Sequence, residues 1–265
     1  MLRYARIFFT YAQDVFEYRS LAFVWFLISI INPLLYLFFW QGALSQSSDS
    51  LFTSVSDVSG YYFLYLILGG FLMAHIEHEV AYWDIKEGGL VKYILKPIPY
   101  IVSKFFLEVT WRITMGIFAI AGTLLLTAVF GPLLHIALTP QQFMLVVLAC
   151  LAGLLISFTF KMIVGLSALW VVDLDGIEQL VFVATLLFSG YVIPLDMFPS
   201  YLKTLTFLTP FPYMVYYPIR MLQGALSMGE SWSVLGMQFC WLVLLAVGYR
   251  FVWSRGIKRF TGVGE

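Results

Sequence analysis

Six stretches of this 265-residue chain are almost free of charge and long enough, or nearly so, to cross a lipid bilayer: 22–44, 61–82, 101–130, 143–172, 177–193 and 231–253. A helix spanning a hydrocarbon core about 30 Å thick needs about 20 predominantly apolar residues. In lipid every backbone polar group must be satisfied within the spanning element, and these runs lack the period-two alternation of a membrane barrel. The sequence therefore predicts an all-α integral membrane protein with six transmembrane helices in one domain over 1–265. Composition closes the alternative of a soluble fold: 61% of residues are hydrophobic and 11% charged, against about 25% charged in average globular proteins.

Charge is balanced in number, with fifteen Lys and Arg against fifteen Asp and Glu, so the chain has no net basic field of the kind that binds nucleic acid. Its placement is uneven. Arg3, Arg6 and Arg19 precede the first run, Lys86, Lys92, Lys96 and Lys104 follow the second, and Arg250, Arg255, Lys258 and Arg259 follow the last. Because basic residues mark cytoplasmic loops, a multi-pass protein of the cell (plasma or inner) membrane with both termini cytoplasmic is expected. The connections at 45–60, with Asp49 and Asp57, and at 131–141, with His135, should face outward. The acidic connection at Asp173 and Asp175 departs from the pattern but carries little orientational weight. The first run is too long for a signal peptide and should stay attached. Cys150 and Cys240 both sit inside apolar runs, as small buried hydrophobes do.

Three segments fall outside ordinary spans. Over 1–20, Arg3, Arg6, Thr10, Gln13, Asp14 and Glu17 share one helical sector, with Leu2, Tyr4, Phe8, Phe9, Val15 and Phe16 around the rest, which predicts an amphipathic helix in the membrane interface. Over 84–97 the chain reads Asp84, Ile85, Lys86, Glu87, Gly88, Gly89, Leu90, Val91, Lys92, Tyr93, Ile94, Leu95, Lys96 and Pro97. Asp84 and Glu87 are spaced as a capping box, Gly88-Gly89 permits a turn, and Pro97 and Pro99 end a short helix carrying Leu90, Val91, Ile94 and Leu95 on one face beside Lys92 and Lys96. Such a knob suits a helix lying on headgroups or a docking element for a cytosolic subunit. Over 190–224 the chain holds Pro194, Phe198, Pro199, Pro210, Pro212 and Pro218 among many aromatics. That segment is too apolar for an aqueous loop and too proline-rich for a straight helix, so broken re-entrant helices that cap or line a path between spans 5 and 6 are expected.

Some charges lie within the runs. Lys161 falls in the fourth, where it either snorkels to cytoplasmic headgroups or borders a path. Lys104, Glu108 and Arg112 step by four along one face of the third and can pair along it or form an interface. His75, His78 and Glu79 could project from one side of a helix, a spacing compatible with zinc, but the order is not His-Glu-x-x-His and no metal site is assigned. Neither a phosphate-cradling loop nor a nucleophile elbow occurs, so the chain should not hydrolyse nucleotide alone.

The stretch from Asp84 to Pro99, close to Ile-x-Glu-Gly-x-Leu followed by Leu-x-x-Pro-Ile, and the run from Gly190 through Pro194, Phe198-Pro199 and Pro210 to Gly224 resemble the membrane (permease) subunit of ABC transporters of the type 2 exporter class. The resemblance extends over nearly the whole chain. It implies that 84–97 is a coupling helix seated on a separate ABC ATPase subunit, which binds ATP and Mg while this chain binds no cofactor and is no enzyme. It also implies an outer gate at 190–224 and a substrate path shared with a second permease, in a homo- or heterodimer. The rival classes are a membrane-embedded metal-dependent enzyme, for which only His75 to Glu79 offers a reactive cluster, and an ion-coupled secondary transporter, for which midplane acids and an internal repeat are wanting.

Overall fold

The computed structural model describes residues 2–45, 55–130, 138–171 and 173–261, which form helices and short connections with no strand among them. Asp49 and His135, read above as parts of outward connections, lie outside the described residues. Among the described residues, four helices are long and apolar enough to cross a membrane: Arg19–Ala43, Tyr100–Gly122, Pro140–Leu169 and Met228–Gly256. They belong to α2 (Arg19–Ser45), α5 (Tyr100–Phe130), α6 (Pro140–Leu166, continued by a 3-10 turn at Ser167–Leu169) and α11 (Met228–Gly256).

α6 is the central column, packed against α11, against α3 (Val55–Leu72) and against the short helices of the 190–224 segment. Its start is fixed by a capping box between Thr139 and Gln142 with Pro140 in the first turn, and α11 starts with the same device at Ser227 and Glu230. Both sequences place a hydroxyl three residues before an amide or acid, which satisfies the first free backbone donors of the helix.

α1 (Leu2–Glu17) runs as the amphipathic pattern predicts. Arg6, Thr10, Gln13, Asp14 and Glu17 are exposed, and the opposite side lies on α5, where Tyr4 and Phe8 each approach the Phe106 ring at 6.3 Å.

Two of the expected spans differ in the structure. The second is not one helix: α3 stops at Leu72, residues 73–76 are non-helical, and the chain re-enters a π-helix at Glu79–Lys86. The break is possible because side chains from other helices take the freed backbone groups. Ser157 accepts from the Ala74 amide at 2.8 Å, Glu108 accepts from the His75 amide at 3.0 Å, and Arg112 donates to the Gly70 carbonyl at 3.0 Å. The fifth is α7 (Asp175–Phe188), whose 14 residues give a length of about 21 Å, short of a hydrocarbon core. Its acidic start has a local reason, since Asp173 accepts from the Asp175 amide at 3.0 Å and Asp175 and Glu178 occupy the first turn, where the helix dipole favours negative charge.

The 190–224 segment is broken as expected, into a 3-10 turn at Leu195–Met197, α8 (Ser200–Phe207), α9 (Phe211–Met214) and α10 (Tyr216–Leu222). Pro194, Pro199 and Pro210 each precede a new helical turn, Pro212 sits in α9 and Pro218 in α10. Val215, at φ −134° and ψ −51°, separates α9 from α10. Pro194, Pro210, Pro212 and Pro218 are buried, Phe198 is half-buried and Pro199 is exposed. The segment packs into a large core with Tyr61, Tyr62 and Tyr65 of α3 and with Leu145, Ala149 and Leu154 of α6.

Candidate functional site

Residues 84–97 fold as a knob at one end of the bundle. The capping box does not form: Asp84 lies in the last turn of the π-helix, buried, and Glu87 is exposed. Asp84 instead accepts from Tyr100 at 2.6 Å and from Lys104 at 2.6 Å, while Lys104 also donates to Glu79 at 2.5 Å. The Lys104 ammonium, fully buried, further lies 4.8 Å from the Tyr93 ring centre. One cation from α5 therefore ties together the π-helix and α4 (Val91–Ile94), with its charge balanced by two carboxylates and an aromatic face.

The turn after the π-helix depends on two glycines. Gly88 has φ +73°, and a Cβ on Gly89 would lie 2.5 Å from the Trp83 carbonyl oxygen. Beyond it Leu90 turns inward, wholly buried among Ile76, Val80, Ile85, Tyr93, Tyr100 and Phe158. The ridge read from the sequence thus loses Leu90 and keeps Val91, Ile94 and Leu95, which are exposed, Leu95 at 78%. Trp83 is exposed beside them, as are Lys92, Lys96 and Pro97, with Lys86 half-buried. Pro97 and Pro99 separate α4 from α5 where the sequence predicts the stop.

α1 reaches the same knob. Tyr11 pairs with Tyr93, and burial is the first cause pushing the Tyr11 phenol up to about 12 and the Tyr93 phenol higher still. Both therefore stay neutral at physiological pH, so α1 meets α4 here through uncharged phenols.

The charges inside the spans are also paired. Glu108 and Arg112 bond at 2.7 Å as their four-residue step allows, while Lys104, the third member of the stripe, turns to Glu79 and Asp84. Lys161 does not snorkel: it is buried and bonded to Glu77 at 2.5 Å, because the broken second span brings an acid within reach. His75, Glu77, His78 and Glu79 diverge to four different partners, respectively Arg112, Lys161, Glu178 and Lys104. Among the described residues no group of three side chains is arranged to hold a metal ion.

A cavity of about 540 Å³ opens between α2, α3, α5 and α7. Its walls are mostly apolar and rich in aromatics, with Trp25 and Tyr36 from α2, Tyr65 from α3, Trp111 from α5 and Phe182 from α7, and its polar points are Ser29, Asn32, His75 and Arg112. Arg112 donates to His75 Nδ1 at 3.1 Å, to Glu108 and to Gly70, so the guanidinium is held by three elements at the edge of an apolar chamber. Such a chamber can take an amphipathic molecule, with the polar points fixing its orientation.

A family model described as ABC-2 family transporter protein matches residues 23–264. The chain belongs to the ABC-2 transporter family. No curated protein matches it. As an ABC-2 chain it is a multi-pass membrane component of a transport system, in agreement with the four long apolar helices.

Sequence reasoning missed several residues that hold this ABC-2 architecture. Gln238, in the middle of α11, is fully buried and donates to the carbonyls of Ala149 at 3.0 Å and Tyr213 at 2.8 Å. The Tyr213 carbonyl belongs to the kinked α9, so the amide serves backbone that the outer break leaves unpaired. An amide in an otherwise apolar span was the available signal. Ser157, Glu77 and Tyr100 act through partners remote in sequence and carried no local signature.

Proposed function

We propose that this chain is the permease subunit of an ATP-driven exporter, seated through residues 84–97 on a separate ABC ATPase that binds ATP and Mg, and paired with a second permease. Family membership supports the ATPase partner and the transport role. The observation that carries the docking assignment is the tip of the knob: Val91, Ile94 and Leu95 are exposed beside Lys92 and Lys96, on a segment anchored by the buried Lys104 and its carboxylate partners Asp84 and Glu79. An apolar tip on a rigid base is suited to a groove on another protein, because docking orders few side chains while removing apolar surface from water.

In this reading the protein crosses the cell membrane six times, with α3 and the π-helix making one discontinuous crossing and α7 with the following residues another. Both termini lie in the cytoplasm. The packing supports a common end, since α1 meets the knob through Tyr11 and the end of α11 meets it through Trp253, stacked on Tyr100 at 5.1 Å. The exposed apolar side chains of α2 and α7 face the second permease, and the aromatic chamber between them is this chain's share of the substrate path. The 190–224 segment closes its outer end.

Co-expression with the ATPase tests the docking. The double substitution Ile94→Asp with Leu95→Asp should weaken retention of the ATPase on the purified permease by roughly tenfold or more, the loss expected from removing central apolar anchors. The unfolding temperature of the permease itself should not change, because both side chains are exposed. Undiminished retention, with transport intact, would contradict the assignment.

A further inference from the structure

Beside the knob, on the side facing α11, lies an open groove of about 770 Å³ between the Tyr93–Ile101 connection and the last turns of α11. Lys96 and Arg250 line it, and among the described residues no acidic side chain does. Its floor is aromatic: Trp253 stacks on Tyr100 at 5.1 Å and on Tyr249 at 6.3 Å. Its ends differ in character. Ile101 lies just inside the candidate span that begins at Tyr100 and Val247 about two to three turns inside the one that ends at Gly256, whereas Lys96 lies outside both. The groove therefore straddles the boundary where hydrocarbon gives way to headgroups, the depth at which Trp, Tyr and basic side chains concentrate.

We infer that this groove binds an anionic phospholipid of the leaflet on the knob's side. Its phosphate would lie between Lys96 and Arg250, and an acyl chain would run along Ile101, Val247 and the exposed ring of Phe251. The charge of the lining selects the headgroup, since two cations without a counter-acid are satisfied by a phosphate carrying a net negative charge and not by a zwitterionic head whose own amine competes. The amphipathic form of the groove selects a lipid over a free phosphate, because the apolar half would otherwise be filled by water or by unordered chains. A lipid seated there bridges α11 to the segment joining α4 and α5, and so stiffens the base from which the knob projects. The inference rests on the membrane reading, and because Ile94 and Lys96 border both this groove and the proposed docking tip, the ATPase serves as a competitor in its test.

The test is native mass spectrometry of the purified full chain in detergent, titrated with phosphatidylglycerol or with phosphatidylcholine of identical acyl chains. One phosphatidylglycerol should be retained per chain in preference to phosphatidylcholine, and soluble glycerol phosphate at the same concentration should not displace it. Lys96→Gln with Arg250→Gln should weaken retention about thirtyfold, the effect of two basic residues beside an anionic lipid. Lys258→Gln with Arg259→Gln, exposed cations outside the groove, should leave it within about threefold, the residue of the general surface attraction. Equal retention of the two lipids, displacement by glycerol phosphate, an unaffected groove variant, or equal losses in both double variants would overturn the inference. So would displacement of the lipid by one equivalent of the ATPase, since the groove would then be part of the protein interface.

Discussion

At the scale of single residues, this molecule is organised by buried charges that find partners on other elements. Lys104 is the most heavily engaged, held by Glu79, Asp84 and the Tyr93 ring. Removing one member of a buried cluster leaves the rest uncompensated, at a cost of about 3–5 kcal/mol. Lys104→Met should accordingly lower the unfolding temperature in detergent markedly, and adding Asp84→Asn should recover part of the loss by removing one of the two orphaned carboxylates. A Lys104→Met protein as stable as the parent would show that the cluster does not hold the knob. The sequence made such residues visible only as costs. Lys161 stood out as a charge in an apolar run, but its partner Glu77 lies 84 positions away, and no local pattern connects the two. Glu108 and Arg112 were legible as a pair because their bond closes within one helical turn.

At the scale of elements, helices of strong apolar character were legible and their interruptions were not. α2, α5, α6 and α11 correspond to four of the six runs read from the sequence, and α1 presents the polar face that its periodicity requires. The break after Leu72 escaped notice because Met73, Ala74 and Ile76 continue the apolar run, and what ends the helix is the supply of hydrogen bonds from Ser157 and Glu108 on other helices. Prolines, by contrast, announce a break in the sequence itself, and the 190–224 segment breaks at Pro194, Pro199 and Pro210. Its fit against α6 depends on one position. A Cβ on Gly153 would lie 2.5 Å from the Met214 carbonyl oxygen, at the kink between α9 and α10. Gly153→Val should therefore force α6 away from the outer segment and cost about 1–3 kcal/mol, as overpacking does, read as a lower unfolding temperature. Gly176→Ala, in α7 with nothing within 4 Å of the added carbon, should be neutral or slightly stabilising, and equal effects of the two substitutions would remove the close-approach argument.

At the scale of the whole molecule, a net charge of zero conceals a sorted distribution. The knob, the start of α5 and the end of α11 gather at one end, and Lys86, Lys92, Lys96, Arg250, Arg255, Lys258 and Arg259 gather with them. The capping boxes of α6 and α11 mark the helix ends remote from the knob. The proposed docking of residues 84–97 on a cytosolic ATPase relies on this polarity, which is legible in the sequence as a count of bases. The most direct measurement is cysteine cross-linking with a short bis-maleimide in membranes co-expressing the ATPase. Leu95→Cys, at the exposed tip of the knob, should link to the ATPase subunit, whereas Trp232→Cys, exposed near the start of α11, should not. A link from position 232 with none from position 95 would contradict the account.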